Sequence, residues 1–221
     1  MYTEKLFSPL GLLRRRNKIR EKIKEKKADG FLIFHKPNIF YLTGFEGEGI
    51  FLLLQDKGFL FTDYRYLPFS PPRIEDWKFV GVKKGYLYSL KGKIYQEKVK
   101  KVIVETEHIS VSRWKELNKL ENVKWLSSSK CIEEERMVKE EEEIEVIKKA
   151  IDIGKKVLDE VPNLLEPGIR ERDLAVEIEY RLRKYGSEPL PFLPIVASSK
   201  NSSLPHATPT AKEIKQGEPL I

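Results

Sequence analysis

FLIF, residues 31–34, is a short apolar run set between Gly30 and Pro37. A short apolar run so bounded suits a buried strand better than a helix. The runs IFLLL from Ile50, FLFT from Phe59, WKFVGV from Trp77 and VIVE from Val102 have the same character. Working outward, residues 10–27 place Leu12, Leu13, Ile19 and Ile23 near one helical stripe, with Gly30 just past the end. The basic side of that helix, Arg14 to Lys27, reads as a solvated face. SVSRWKELNKL from Ser110 predicts another helix, with Ser112 as its cap and Trp114, Leu117 and Leu120 on one side. Strands alternating with helices predict a mixed α/β layered domain.

The pattern changes at SSSKCIEEERMVKEEEE, residues 127–143, which is polar, charged and poor in core residues. The expected organisation is a first domain over 1–127, a linker over 128–138 and a second domain over 139–221. In the latter, Ile144, Ile147, Ile151, Leu158 and Val161 form one helical stripe, and glutamates crowd the N-terminal turns where the helix dipole favours them. Pro162 is expected to end or kink that helix. After Pro167 and Gly168, the positions Leu174, Ala175, Ile178, Leu182 and Tyr185 mark a second helix ending near Gly186.

Composition narrows the function classes. No run approaches the roughly 20 apolar residues of a membrane span, and the N-terminus does not read as a secretion signal. Cys131 is the sole cysteine, so no internal disulfide braces the fold, and a reducing cytoplasm is the expected compartment. The formal charge of +7 comes from 41 basic against 34 acidic residues mixed along the chain, which describes a solvated surface better than a nucleic-acid footprint. A binder using Arg14 to Arg20 would show salt-sensitive affinity for duplex DNA; neither nucleic acid nor membrane is an expected partner. Lys and Glu dominate the charged residues while Gln is rare, a balance found in proteins that work hot.

Local spacing offers no metal box: His35, His108 and His206 are far apart, and HExxH, CxxC and phosphate-loop patterns are missing. His35 and His108 read as structural or solvated. His206 differs, because LPHATP sets it between two prolines after the strand-like PIVASS and the polar turn KNSS, on a stiff loop. Ser198, Ser199, Ser202 and Ser203 lack a nucleophile elbow, and the acids sit at ordinary helix-surface spacing.

NIFYLTGF at 38–45, FTDYRY at 61–66, VIVE at 102–105, RMVKEEEEIEVIKKA from Arg136, LLEPGIRERDLAVEIEYRLRKYG from Leu164 and, most specifically, FLPIVASSKNSSLPHATPTAKEIKQGE from Phe192 together resemble the Xaa-Pro dipeptidase (prolidase) and Xaa-Pro aminopeptidase family. The resemblance implies a creatinase-type N-terminal α/β domain followed by an incomplete pita-bread α+β domain. It implies hydrolysis of the bond before proline, with His206 catalytic and touching substrate, and with Phe192 and Ile195 lining an apolar substrate pocket. It also implies two divalent ions (manganese, cobalt or zinc) in complete members, whose five ligands would lie beyond Ile221, so no metal and no activity are expected of these 221 residues. Apolar helix faces should then stand exposed. A homodimer is expected, because such N-terminal domains commonly carry oligomer contacts; a non-catalytic protein acting in dimerisation or partner binding is the alternative. Ser199 stands where the family commonly has glycine, and Glu218 and Pro219 replace part of a stretch that usually reads Gly-Asp followed by apolar residues.

Overall fold

The computed structural model describes residues 8–69 and 76–221, and it divides into two compact units, one ending at Glu140 and the other running from Glu141 to Ile221. Every predicted strand of the first unit forms: β1 (Gly30–Ile33), β2 (Gly49–Leu54), β3 (Gly58–Thr62), β4 (Trp77–Gly81) and β5 (Lys101–Glu105), joined by β6 (Lys124–Ser128). They build one mixed sheet in the order β4-β3-β2-β1-β5-β6. β1 runs antiparallel to β2 and parallel to β5, with Phe31 opposite Leu53 on one side and Ile103 on the other.

Alternation along β1 explains why its apolar run is unbroken. Phe31 and Ile33 face a core shared with Ile19, Ile23, Ile39, Leu42 and Ile132. Leu32 faces a second core containing Leu90, Ile94 and Leu117. Helices α1 (Pro9–Glu25), α2 (Lys36–Thr43) and α5 (Cys131–Met137) therefore cover one face, and α3 (Tyr86–Gln96) and α4 (Val111–Leu117) the other. A sheet covered on both sides requires strands apolar at consecutive positions.

Three expectations change. The basic side of α1 is solvated only in part: Arg14, Lys18, Lys24, Lys26 and Lys27 are exposed, but Arg15, Arg16 and Arg20 are buried. Arg16 pairs in bidentate fashion with Asp76 (Nε to Oδ2 2.9 Å, Nη2 to Oδ1 2.8 Å) and donates Nη1 to the Leu42 carbonyl at 2.5 Å. Arg15 donates to the Tyr41 carbonyl at 3.3 Å, so these guanidiniums satisfy the carbonyl end of α2, where cations are favoured. Burial lowers the Arg16 pKa against the pull of Asp76. The planar fork can fill a buried site that a lysine could not, and phosphate cannot reach these three side chains.

Residues 128–138 are not a bare linker. Ser128 closes β6, and α5 tucks Cys131 and Ile132 into the core while its glutamates remain at the surface. One helical turn needs only two apolar residues to dock, which a composition reading passes over. Ser110, not Ser112, caps α4, its hydroxyl accepting from the Arg113 amide at 3.2 Å.

In the second unit, α6 (Glu141–Glu160) stops where expected, passing into a 3-10 turn, Val161–Leu164, that contains Pro162. α7 (Glu171–Lys184) ends before Gly186, whose φ of 98° is one glycine adopts readily. The small core joins Leu174, Ala175 and Val196. PIVASS forms only an isolated bridge, Ser198 to Leu220. Of the stripe foreseen on α6, Ile147, Ile151 and Leu158 are exposed, while Ile144 and Val161 are half-buried. No described helix is long and apolar enough to cross a membrane.

Candidate functional site

Glu171, the first residue of α7, is fully buried and organises the loop that carries His206. Its Oε1 accepts from the Ser198 amide at 2.7 Å, the Ser198 hydroxyl at 2.9 Å and Asn201 Nδ2 at 3.1 Å. Its Oε2 accepts from the Thr210 hydroxyl at 2.6 Å, the Thr210 amide at 3.1 Å and Asn201 Nδ2 at 3.1 Å. Burial alone would raise the carboxyl pKa, but the bonds from Thr210 and Ser198 outweigh it and bring the group down to about 2. A buried carboxylate with every lone pair occupied is a rigid anchor. Lys212 extends it, donating Nζ to Ser198 Oγ at 2.9 Å and pairing with Glu218.

Between those anchor points the chain folds as a 3-10 turn, Ser199–Ser203, followed by a β-turn closed by the Ala207 amide on the Leu204 carbonyl at 3.3 Å. Pro205 and His206 are the central residues of that turn, a position proline favours, and Ala207 is buried behind them. The His206 ring is exposed. Phe192 and Ile195, on the irregular segment before Val196, are exposed too. Exposed apolar side chains beside a rigid loop can contact a substrate, and an exposed imidazole can donate to a developing oxyanion. Ser199 sits at a φ of 53°, the left-handed region where glycine is unstrained, which gives a physical reason for glycine at that position.

Glu171, Asn201 and Thr210 were missed by the sequence reading because they act through long-range convergence. A glutamate at a helix start followed by a Ser/Asn/Thr-rich loop is the only local signal.

The first unit holds a second polar cluster, and here the scattered histidines meet. The rings of His35 and His108 stack with centroids 3.7 Å apart and planes within 7°. Glu133 Oε1 lies 3.1 Å from His108 Nε2 and 3.4 Å from His35 Nδ1. Asn38 Nδ2 donates to the same oxygen at 2.6 Å and to Glu105 Oε1 at 2.7 Å, while Arg136 holds Asn38 Oδ1 at 2.8 Å. Glu105 Oε2 takes the amides of Phe34 and His35, just ahead of α2, at 2.6 and 2.9 Å. Burial lowers the His35 pKa and the facing His108 adds to the effect; burial also raises that of Glu105, only partly offset by its Asn38 bond. Sequence separations of 67 to 98 residues between Asn38 and its partners hid this cluster.

Residues 15–138 match the Creatinase/Prolidase N-terminal domain, and residues 145–221 match Metallopeptidase family M24. An uncharacterized peptidase of Staphylococcus aureus is 29% identical over 214 residues, covering 93% of this chain and 60% of its own length. An X-Pro aminopeptidase from Thermotoga maritima superposes with a TM-score of 0.81 at 29% identity, over 90% of this chain and 59% of that one. An Xaa-Pro dipeptidase from Bacillus anthracis shares the fold with a TM-score of 0.87 at 22% identity, over 95% of this chain and 59% of that one. The chain thus spans about 60% of the length of the curated relative it matches.

Proposed function

This chain belongs to the creatinase/prolidase family of M24 peptidases, and from that premise we propose that it serves Xaa-Pro peptide hydrolysis, supplying groups that bind substrate. The observation that carries this reading is the Glu171-anchored loop, which displays His206 between two prolines on a stretch matching the M24 family. His206 approaches the peptide carbonyl before proline and steadies charge developing on its oxygen; Phe192 and Ile195 receive apolar parts of the peptide. Membership of M24 implies divalent metals in full-length members, which would supply an activated water. No step is assigned to such ions, and these 221 residues alone are proposed to be inactive. The working protein is proposed to be a cytoplasmic homodimer.

Selectivity tests the reading. The chain is assayed alone, and joined to the remaining M24 segment of a relative, against Xaa-Pro and Xaa-Ala dipeptides with added manganese. The expected result is no turnover by the chain alone and metal-dependent cleavage of the proline peptide by the joined protein. Equal cleavage of both peptides would refute the assignment.

A further inference from the structure

We infer that His35, His108 and Glu133 form a binding site for one transition-metal ion, with zinc the best fit, in the first unit. Among the described residues this is the one set of three histidine, cysteine or carboxylate side chains whose ligand atoms all fall within 4.8 Å of one another. Bonds of about 2.0–2.1 Å at tetrahedral angles put neighbouring zinc ligands roughly 3.3 Å apart. The observed separations from Glu133 Oε1, 3.1 Å to His108 Nε2 and 3.4 Å to His35 Nδ1, fall on either side of that edge length.

Three further observations support it. His35 Nδ1 is buried and makes no well-formed hydrogen bond, its polar neighbour Glu133 Oε1 lying 3.4 Å away, so its lone pair is open to a cation placed between them. The carboxylate is already oriented: Asn38 holds Glu133, and Glu105 and Arg136 hold Asn38, the arrangement of outer partners that fixes metal ligands. The side chains of His35, His108 and Glu133 are 30%, 28% and 26% exposed, so solvent can complete the coordination. Two imidazoles and one carboxylate favour zinc over magnesium or calcium, which prefer all-oxygen sites.

The parallel stacking sets a requirement. Lone pairs of two stacked rings run side by side, so one ring must turn about χ2 before both nitrogens aim at one ion. Binding therefore breaks the stack and ties together the start of α2, the turn after β5 and helix α5, each of which supplies one ligand. This departs from the expectation of no metal in these residues, and it is independent of the peptidase reading.

The test is calorimetric titration of the chelator-treated 221-residue protein with zinc, alongside thermal unfolding with and without it. The expected result is one zinc per chain and a raised midpoint. Both are lost in His108→Ala and in Glu133→Gln, kept in His206→Ala, and weakened on the order of tenfold or more in Asn38→Ala through the outer partner alone. Circular dichroism of the metal-free variants checks that they fold, and cobalt should give the intense visible absorption of a four-coordinate site. Binding that persists in both His108→Ala and Glu133→Gln, or no binding by the parent chain, overturns the assignment.

Discussion

Thr210 donates twice to Glu171, through its hydroxyl at 2.6 Å and its amide at 3.1 Å, both to Oε2. Those two hydrogen bonds to a buried carboxylate tie the far end of the His206 loop to the start of α7. Thr210→Val keeps the shape and removes one donor, so it should destabilise the second unit by about 1.5–3 kcal/mol, the range for a hydrogen bond to a charged group. Hydrogen exchange at the Ser198 amide reads this locally, and unchanged protection would contradict the anchor role.

The same anchor predicts a pH response. The Glu171 carboxyl is held at about 2, below its ordinary value of 4.5, because hydrogen bonds outweigh burial. A depressed carboxyl stabilises the fold fully above its unfolded value and loses that contribution as pH falls through the folded one. Protection factors in residues 196–210 should hold down to about pH 4.5 and decline between there and about 2. In Glu171→Gln that acid step should be missing.

In the first unit the decisive pair is Arg16 with Asp76. Removing one partner strands a buried charge, so Asp76→Ala should cost about 3–5 kcal/mol, whereas breaking an exposed pair such as Lys148 with Glu145 should cost far less. Urea unfolding followed by tryptophan fluorescence suits this test, since Trp77, Trp114 and Trp125 all lie in the first unit. Equal costs for the two disruptions would count against the packing described.

Ser199 offers a backbone test. At a φ of 53° a side chain with a Cβ is strained and glycine is not, so Ser199→Val should be less stable than Ser199→Gly by about 1–2 kcal/mol. Thermal unfolding of the two variants side by side decides it, and the reverse order would be incompatible with the left-handed conformation.

Much of the fold was legible because it is written locally. FLIF and its companion runs are apolar at every position since both sheet faces are covered, and Pro162 and Gly186 mark helix ends through backbone chemistry that needs no tertiary partner. What stayed hidden depends on convergence. Arg16 reads as a wet cation until Asp76 and the Leu42 carbonyl are brought to it. His35 and His108 look scattered until β1 and β5 pair, and Cys131 and Ile132 are too few to announce a docked helix. His206 could be singled out from its flanking prolines, while Glu171, which fixes it, looked like any surface acid.

The most direct measurement of the central claim is kcat for an Xaa-Pro dipeptide in the protein completed with an M24 segment, with and without His206→Ala. The account predicts a fall of about 100-fold or more, as when a donor to a developing oxyanion is removed, with the loop still protected from hydrogen exchange. Turnover within a few-fold of the parent would show that the imidazole presented by the Glu171-anchored loop takes no part in hydrolysis.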